Sequence, residues 1–421
     1  MGRNSAFLGV LSVLCLAGRA QAGPAEISDT ARAVLEKAIE SMGGDAALAK
    51  VKTMRLSGAG TWQAAGVPAP MPYTSEVVYA APDRMAWKVE APGMEMASAI
   101  HGDVGWSRMM APPARIAGPM KTHMQEWLFT HAITLVRPLL HVDGIRITGG
   151  EAEKGDGKTI HRVNVEAPGG AKYVLTFVDD GRTFLAAYEG EMTNWDGRKA
   201  GLSMKLAEPK AFGDLTLPSS TEMQITIDGK VQETIKEQTS AIRWNPEVPD
   251  ETFRMPDAGL VLMKASEKQT ASAQCVRLLH KGPYSGMGDT IKKAMQVCQD
   301  VGLMAVGPVT TICLNDPASV KDESMLETEI AVPVMLMGPP PKLPEGASLK
   351  TFEAASVASM TAKGPYGDAD VKALDALKAW IAEQGYEVTG APRILYFHYP
   401  ELFVAEDLVS EVQIPVRKRK M

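Results

Sequence analysis

The sequence predicts an α+β chain in two parts: an antiparallel strand meander with helices near its start and middle, then a smaller part built from two copies of one strand-and-helix unit. Three observations predict it. Apolar residues change from helical spacing to a spacing of two after Lys52 and keep it, with one helical interruption, to about Trp244. Asp180-Gly181 and Asp228-Gly229 follow alternating runs, as hairpin turns do. In the last third, short marks recur at a constant offset of 82 residues. No regular alternation of strand with helix occurs, which disfavours a parallel nucleotide-binding sheet.

Composition supports an ordered chain of two or three domains. Of 421 residues, 45% are hydrophobic and 22% charged, which excludes disordered, collagenous and coiled-coil classes. Aromatics are 6% against 24 Met, so adaptable Met side chains are expected to line cores or cavities. A net charge of -6 makes nucleic acid a poor partner.

Elements follow in order. Arg3, an apolar run from Ala6 to Ala17 and the small-x-small Ala20-Gln21-Ala22 read as a secretory signal cleaved after Ala22, so the mature chain is expected to be periplasmic or secreted. Cys15 leaves with it. Cys275, Cys298 and Cys313 remain, and allow at most one disulfide, whose pairing stays open. Neither CxxC nor HExxH occurs, and no metal or cofactor is expected. Ser28 or Asp29 caps a helix carrying Val34, Leu35, Ala38, Ile39 and Met42, which Gly43-Gly44 ends. Met54 and Leu56 begin the strands. Met85, Trp87 and Val89, then Met94, Met96 and Ile100, continue them, giving an apolar Met-rich face. Met124, Trp127, Leu128, Ala132 and Leu135 fall at helical spacing, and Pro138 stops them. Nine or ten strands are expected in all. The stretch 261–270 reads as a linker, and the boundary is placed near residue 264, giving domains 23–264 and 265–421.

The repeat is sharp. Lys281-Gly282-Pro283-Tyr284 recurs as Lys363-Gly364-Pro365-Tyr366, and Glu329 to Val334 recurs as Glu411 to Val416. Between these marks each copy has a helical stretch, then Gly and Pro before a strand. The copies span 271–337 and 350–417, joined by Gly338-Pro339-Pro340-Pro341, and are expected to form a pseudo-symmetric pair around a shared cleft.

On these residues, and on Leu377, Trp380, Tyr396 and Pro400 in copy two, the second part resembles the GyrI-like domain, also called the bacterial transcription-activator effector-binding domain. The resemblance implies an α+β fold with a central apolar pocket for small, often cationic or aromatic molecules; some relatives are hydrolases. Residues 25 to 257 resemble the outer-membrane lipoprotein carrier fold. The helix ending at Gly43-Gly44, Met54-Arg55-Leu56-Ser57-Gly58, Gly105-Trp106 and Val248 to Phe253 carry that likeness. It implies a curved antiparallel half-barrel covered by helices, whose relatives bind acyl chains.

Six residues are candidate ligand contacts: Glu411, Trp380, Tyr396, Glu329, Tyr284 and Tyr366. A carboxylate facing an apolar cleft needs a cation or a shifted pKa, and aromatic faces attract cations. Tyr284 and Tyr366, after Gly-Pro turns, either orient a ligand or cap the turn. Lone His398 reads as a plain surface or packing residue. No phosphate loop or nucleophile elbow appears. The expected function is an exported envelope protein binding a small apolar or cationic molecule, with a lipid or an envelope protein as a further partner. The alternatives are a hydrolase in which Glu411 activates water, and a structural envelope protein without ligand.

Overall fold

The structure, a computed structural model, describes residues 24–65, 67, 69–155, 157–315, 320, 322–336 and 338–419. The expected signal peptide, its cleavage after Ala22 and Cys15 lie outside the described residues. The fold is α+β, with two large sheets and, among the described residues, five α-helices: α1 (Asp29–Met42), α2 (Asp45–Leu48), α3 (Gly118–Leu135), α4 (Met287–Asp300) and α5 (Asp368–Glu383).

The first sheet has fourteen strands and runs open from one edge to the other. The two-residue strand Glu26–Ile27 pairs in parallel with Arg146–Gly155. Seven strands from Arg146–Gly155 to Lys230–Trp244 then follow in chain order. Lys230–Trp244 pairs with Thr53–Ala64, and six strands continue in order to Ala114–Arg115. The count exceeds the nine or ten expected, because short pieces such as Ala114–Arg115 carry no readable alternation. The hairpins at Asp180-Gly181 and Asp228-Gly229 are present.

The helices cover one face of this sheet. Ser28 Oγ accepts the Ala31 N–H and starts α1, and Gly43, at φ 126°, closes it. Leu35, Ile39 and Met42 of α1 join Phe129 and Ile133 of α3 in a core with Tyr173, Leu175, Phe177 and Tyr188. Met54, Met85 and Ile100 point into the same core, with Trp87 packed at its margin; Met94 and Met96 are half-buried. The face expected to be apolar and Met-rich is therefore filled by the chain's own helices.

The second sheet has eight strands along its main path, in the order Ser266–Thr270, Ala355–Lys363, Val409–Lys418, Arg393–Tyr396, Val309–Cys313, Glu327–Met335, Ala273–Lys281, Ala347–Phe352. Helix α4 packs on Ala273–Lys281 and Glu327–Met335, and α5 on Ala355–Lys363 and Val409–Lys418. Residues 266–270, expected as linker, form an edge strand. Its side chains are largely solvated, so it shows no apolar alternation to read. This strand pairs with Ala355–Lys363, while Ala347–Phe352 pairs back with Ala273–Lys281, so each leading strand is exchanged onto the far half.

The two sheets share side chains and backbone. Leu402, Phe403 and Leu408 enter the first core beside Ile116 and Met120. Ala117 N–H donates to Leu402 O at 2.7 Å and Val404 N–H to Arg115 O at 2.9 Å, which extends the edge of the first sheet by one bridge.

Candidate functional site

A cavity of about 1010 Å³ lies between α4 and α5, over the two short central strands. Strand parity builds its floor. Val309, Thr311 and Cys313 face the helices, as do Ile394 and Tyr396 on the neighbouring strand. Met287, Ile291 and Met295 of α4 form one wall, and Asp370, Val371, Leu374 and Lys378 of α5 the other. Met109, Met110, Ala111, Met120 and Trp195 of the first part close one end, so the cavity is composite. Lys292, on its rim, is paired with Glu401 at 3.1 Å.

Three of the six expected contacts line it: Tyr284, Tyr366 and Tyr396. The Tyr366 and Tyr396 rings meet edge to face at 4.6 Å. The Tyr366 hydroxyl lies 3.0 Å from His398 O and 3.1 Å from Val409 O, and accepts the His398 N–H at 2.9 Å. It is held by backbone, and Tyr366 offers a ligand its ring. Burial raises the pKa of both phenols, so both stay neutral. The Tyr284 hydroxyl is 3.9 Å from Cys313 Sγ of the floor.

Glu411, Glu329 and Trp380 lie outside the cavity lining. Glu411 stands opposite Leu395, and Glu329 opposite Ile312, one residue out of phase with the floor; both therefore point to the other face of the sheet. There Glu411 pairs with Lys268 and accepts from Ser359 and from Gln413 at 2.7 Å. Burial pushes its carboxyl up, but these donors outweigh it and hold it below its ordinary value. Glu329 pairs with Arg277 at 2.8 Å and Lys350 at 3.3 Å. The Arg277 and Arg393 guanidiniums flank the Phe352 ring at 4.4 and 5.3 Å. Trp380 follows Lys378 by two residues, about 200° around α5, and stacks on Tyr386 at 5.5 Å.

The charged group that the cavity buries is Asp370, 3% exposed. Its Oδ2 accepts the Gly367 N–H at 2.9 Å, closing the start of α5, and its Oδ1 accepts from Ser410. Among the described residues no cationic side chain pairs with it. Asp370 is the third residue of α5 and is not singled out by the sequence; that it faces a cavity is visible only in three dimensions. Met110 and Trp195 carry no sequence signal for this site, since contact between the parts is not encoded locally.

Among the described residues no group of His, Cys, Asp and Glu could hold a metal ion, and no helix is long and apolar enough to cross a membrane. Cys275 and Cys298 are free, buried thiols.

No family model matches the chain, and no curated protein matches it. Solved structures similar to stretches of the chain exist. The EcmrR C-terminal domain is 20% identical, with a TM-score of 0.33, over 37% of this chain and 98% of that one. A LolA-superfamily protein from Nitrosomonas europaea is 14% identical, TM-score 0.37, over 54% of this chain and 98% of that one. A DUF1329-family protein from Desulfovibrio piger is 11% identical, TM-score 0.38, over 54% and 98%. Each likeness covers between about a third and just over half of this chain.

Proposed function

We propose that this chain is an exported envelope protein that binds a small apolar or cationic molecule in the cavity between α4 and α5. The observation that carries the reading is the cavity itself. About 1010 Å³ lined by Met, Tyr, Trp and Phe side chains, with few polar groups, is the usual make-up of a small-molecule site. A cation is favoured over an anion because Asp370 is the buried charge and has no ion-pair partner among the described residues, while the two lysines of the lining are exposed, Lys292 being tied to Glu401 and Lys378 open to solvent. The Tyr366 and Tyr396 rings would add cation–π attraction of about 0.5–2 kcal/mol.

In this reading residues 23–264 and 265–421 are two domains, and 271–337 and 350–417 two copies of one unit facing each other across the cavity. Export rests on the N-terminal sequence. The first domain completes the cavity wall, and its lipid or partner-docking role remains a sequence-based proposal. Calorimetric titration with methyltriphenylphosphonium and with neutral triphenylphosphine oxide tests the reading. Saturable binding of the cation, lost in Tyr396→Ala, supports it; absence of binding of either compound at millimolar concentration refutes it.

A further inference from the structure

One histidine bonds to the loop that closes the cavity. His398 is 4% exposed. Its Nδ1 accepts the Val409 N–H at 3.1 Å, so that nitrogen carries no hydrogen. Its Nε2 then carries the hydrogen and donates to Pro112 O at 2.8 Å, across the junction of the two parts. Both ring roles are thereby fixed by backbone partners, and Phe403 packs edge-on at 4.9 Å. Pro112 lies in the 110–113 loop, whose Met110 and Ala111 cover the cavity; Phe397 and Tyr399, beside His398, line it.

A second proton on this ring has one place to go, Nδ1, where it would meet the Val409 N–H donor to donor. The charged and titratable neighbours give it little help. Asp407, 4% exposed, already accepts from Arg115 and from Lys363, the latter at 3.0 Å, and Glu406 lies toward Arg115. The Tyr366 hydroxyl is engaged with the His398 backbone. Burial consequently outweighs Asp407 and holds the docked imidazole below its ordinary value.

We propose that His398 is the positioning residue of a proton-sensitive latch. Neutral, it ties the 110–113 loop over the cavity; protonated, it lets the loop go and opens the cavity to exchange. The latch stands on the bonds just described; only what it releases rests on the proposed ligand-binding role. The sign follows from linkage. The freed ring titrates near its ordinary value and the docked ring lower, so opening takes up a proton. The closed form is favoured at high pH and weakens as pH falls below about 6.5. The opening constant therefore rises as pH falls from 7.5 to 5, by at most about 30-fold, the limit set by the freed ring alone.

Hydrogen exchange on the full chain, corrected for intrinsic rates, reads this directly. The reporters are the Ala117 and Val404 amides, which bond across the junction. Their protection is expected to fall severalfold, at most about 30-fold, from pH 7.5 to 5 in the wild type and to change by clearly less in His398→Gln. The glutamine amide does not titrate and can still donate to Pro112 O. The Leu175 and Val332 amides, inside the two sheets, should keep their protection. An equal fall in both proteins, or none in the wild type, overturns the latch. Should the variant not fold, the wild type decides: protection of the Ala117 and Val404 amides must fall as pH drops while that of Leu175 and Val332 holds, and protonation of His398, read at its Cε1 proton, without that selective fall overturns the latch. Methyltriphenylphosphonium binding separates the two ideas. PH-dependent protection with no binding at any pH sinks the ligand role and keeps the latch, and binding with pH-independent protection does the reverse.

Discussion

Asp370→Asn keeps the size of the side chain and removes the charge that faces the cavity. The amide oxygen can still accept the Gly367 N–H, and the amide nitrogen can donate to Ser410 Oγ, so α5 retains its start. The magnitude follows from burial. A cation centred about 5 Å from a carboxylate, at an effective dielectric of about 20, gains about 3 kcal/mol before desolvation. Part of that is lost in drying the cation, leaving about 1–3 kcal/mol, or about 5- to 150-fold in affinity. Any general loss of stability weakens charged and neutral ligands alike, so the ratio of the two affinities is the quantity to measure. Calorimetric titration of wild type and variant with methyltriphenylphosphonium and triphenylphosphine oxide gives it. The expected result is a 5- to 150-fold loss for the cation and less than twofold for the oxide. Equal loss for both, or no change, refutes the assignment of Asp370 as the selecting charge.

Glu411→Gln should leave that affinity ratio unchanged, because Glu411 faces the other side of the sheet; a selective loss of the cation there would return the role to Glu411. Its lowered pKa has a pH consequence measurable by urea unfolding. The Glu411 contribution to stability is present above about pH 4.5 and is lost as pH falls through its lower folded value, so the wild-type advantage over Glu411→Gln should shrink below pH 4.5. Tyr173→Phe should stabilise the first part by about 1 kcal/mol in urea, since the Tyr173 hydroxyl is buried without a hydrogen-bond partner. Cys313 should be alkylated by iodoacetamide at pH 8 well before Cys275 and Cys298, whose thiols are buried and each pushed up to about 11. Methyltriphenylphosphonium should slow that reaction, because Cys313 lines the cavity, and mass spectrometry of the labelled peptides would show it.

Much of the architecture was legible because it is written in local periodicity. The cap at Ser28, the glycine stop at Gly43, the two Asp-Gly hairpins and the marks at an offset of 82 each follow from a few neighbouring residues. The edge strand 266–270 was not legible, since a strand with solvated side chains on both faces has no alternation. The site was half legible. Tyr284, Tyr366 and Tyr396 stood out as aromatics near turns and strands and do meet at one cavity. Glu411 has the same parity as Gln413, which marks a polar face, but parity alone does not say which face holds the helices. Lys268 and Arg277, which neutralise Glu411 and Glu329, lie far away in sequence. The Met109–Met110 contribution comes from another sheet altogether, and no spacing rule reaches that distance.

The exchange of leading strands in the second sheet has a consequence for how that region is assembled. Neither half owns a complete set of partners: residues 273–335 lack the strand 347–352 that borders Ala273–Lys281, and residues 355–418 lack 266–270. A half cut out of the chain would carry a bare edge next to a strand that fits it, on a neighbouring copy. Residues 347–419 expressed alone should therefore form dimers, each donating 347–352 to the vacant border of the other, as in domain swapping. Within the intact chain the same crossing makes assembly cooperative. The first strand of this region cannot dock until Ala355–Lys363, about 85 residues later, has emerged, so a nascent chain ending before it stays unfinished there.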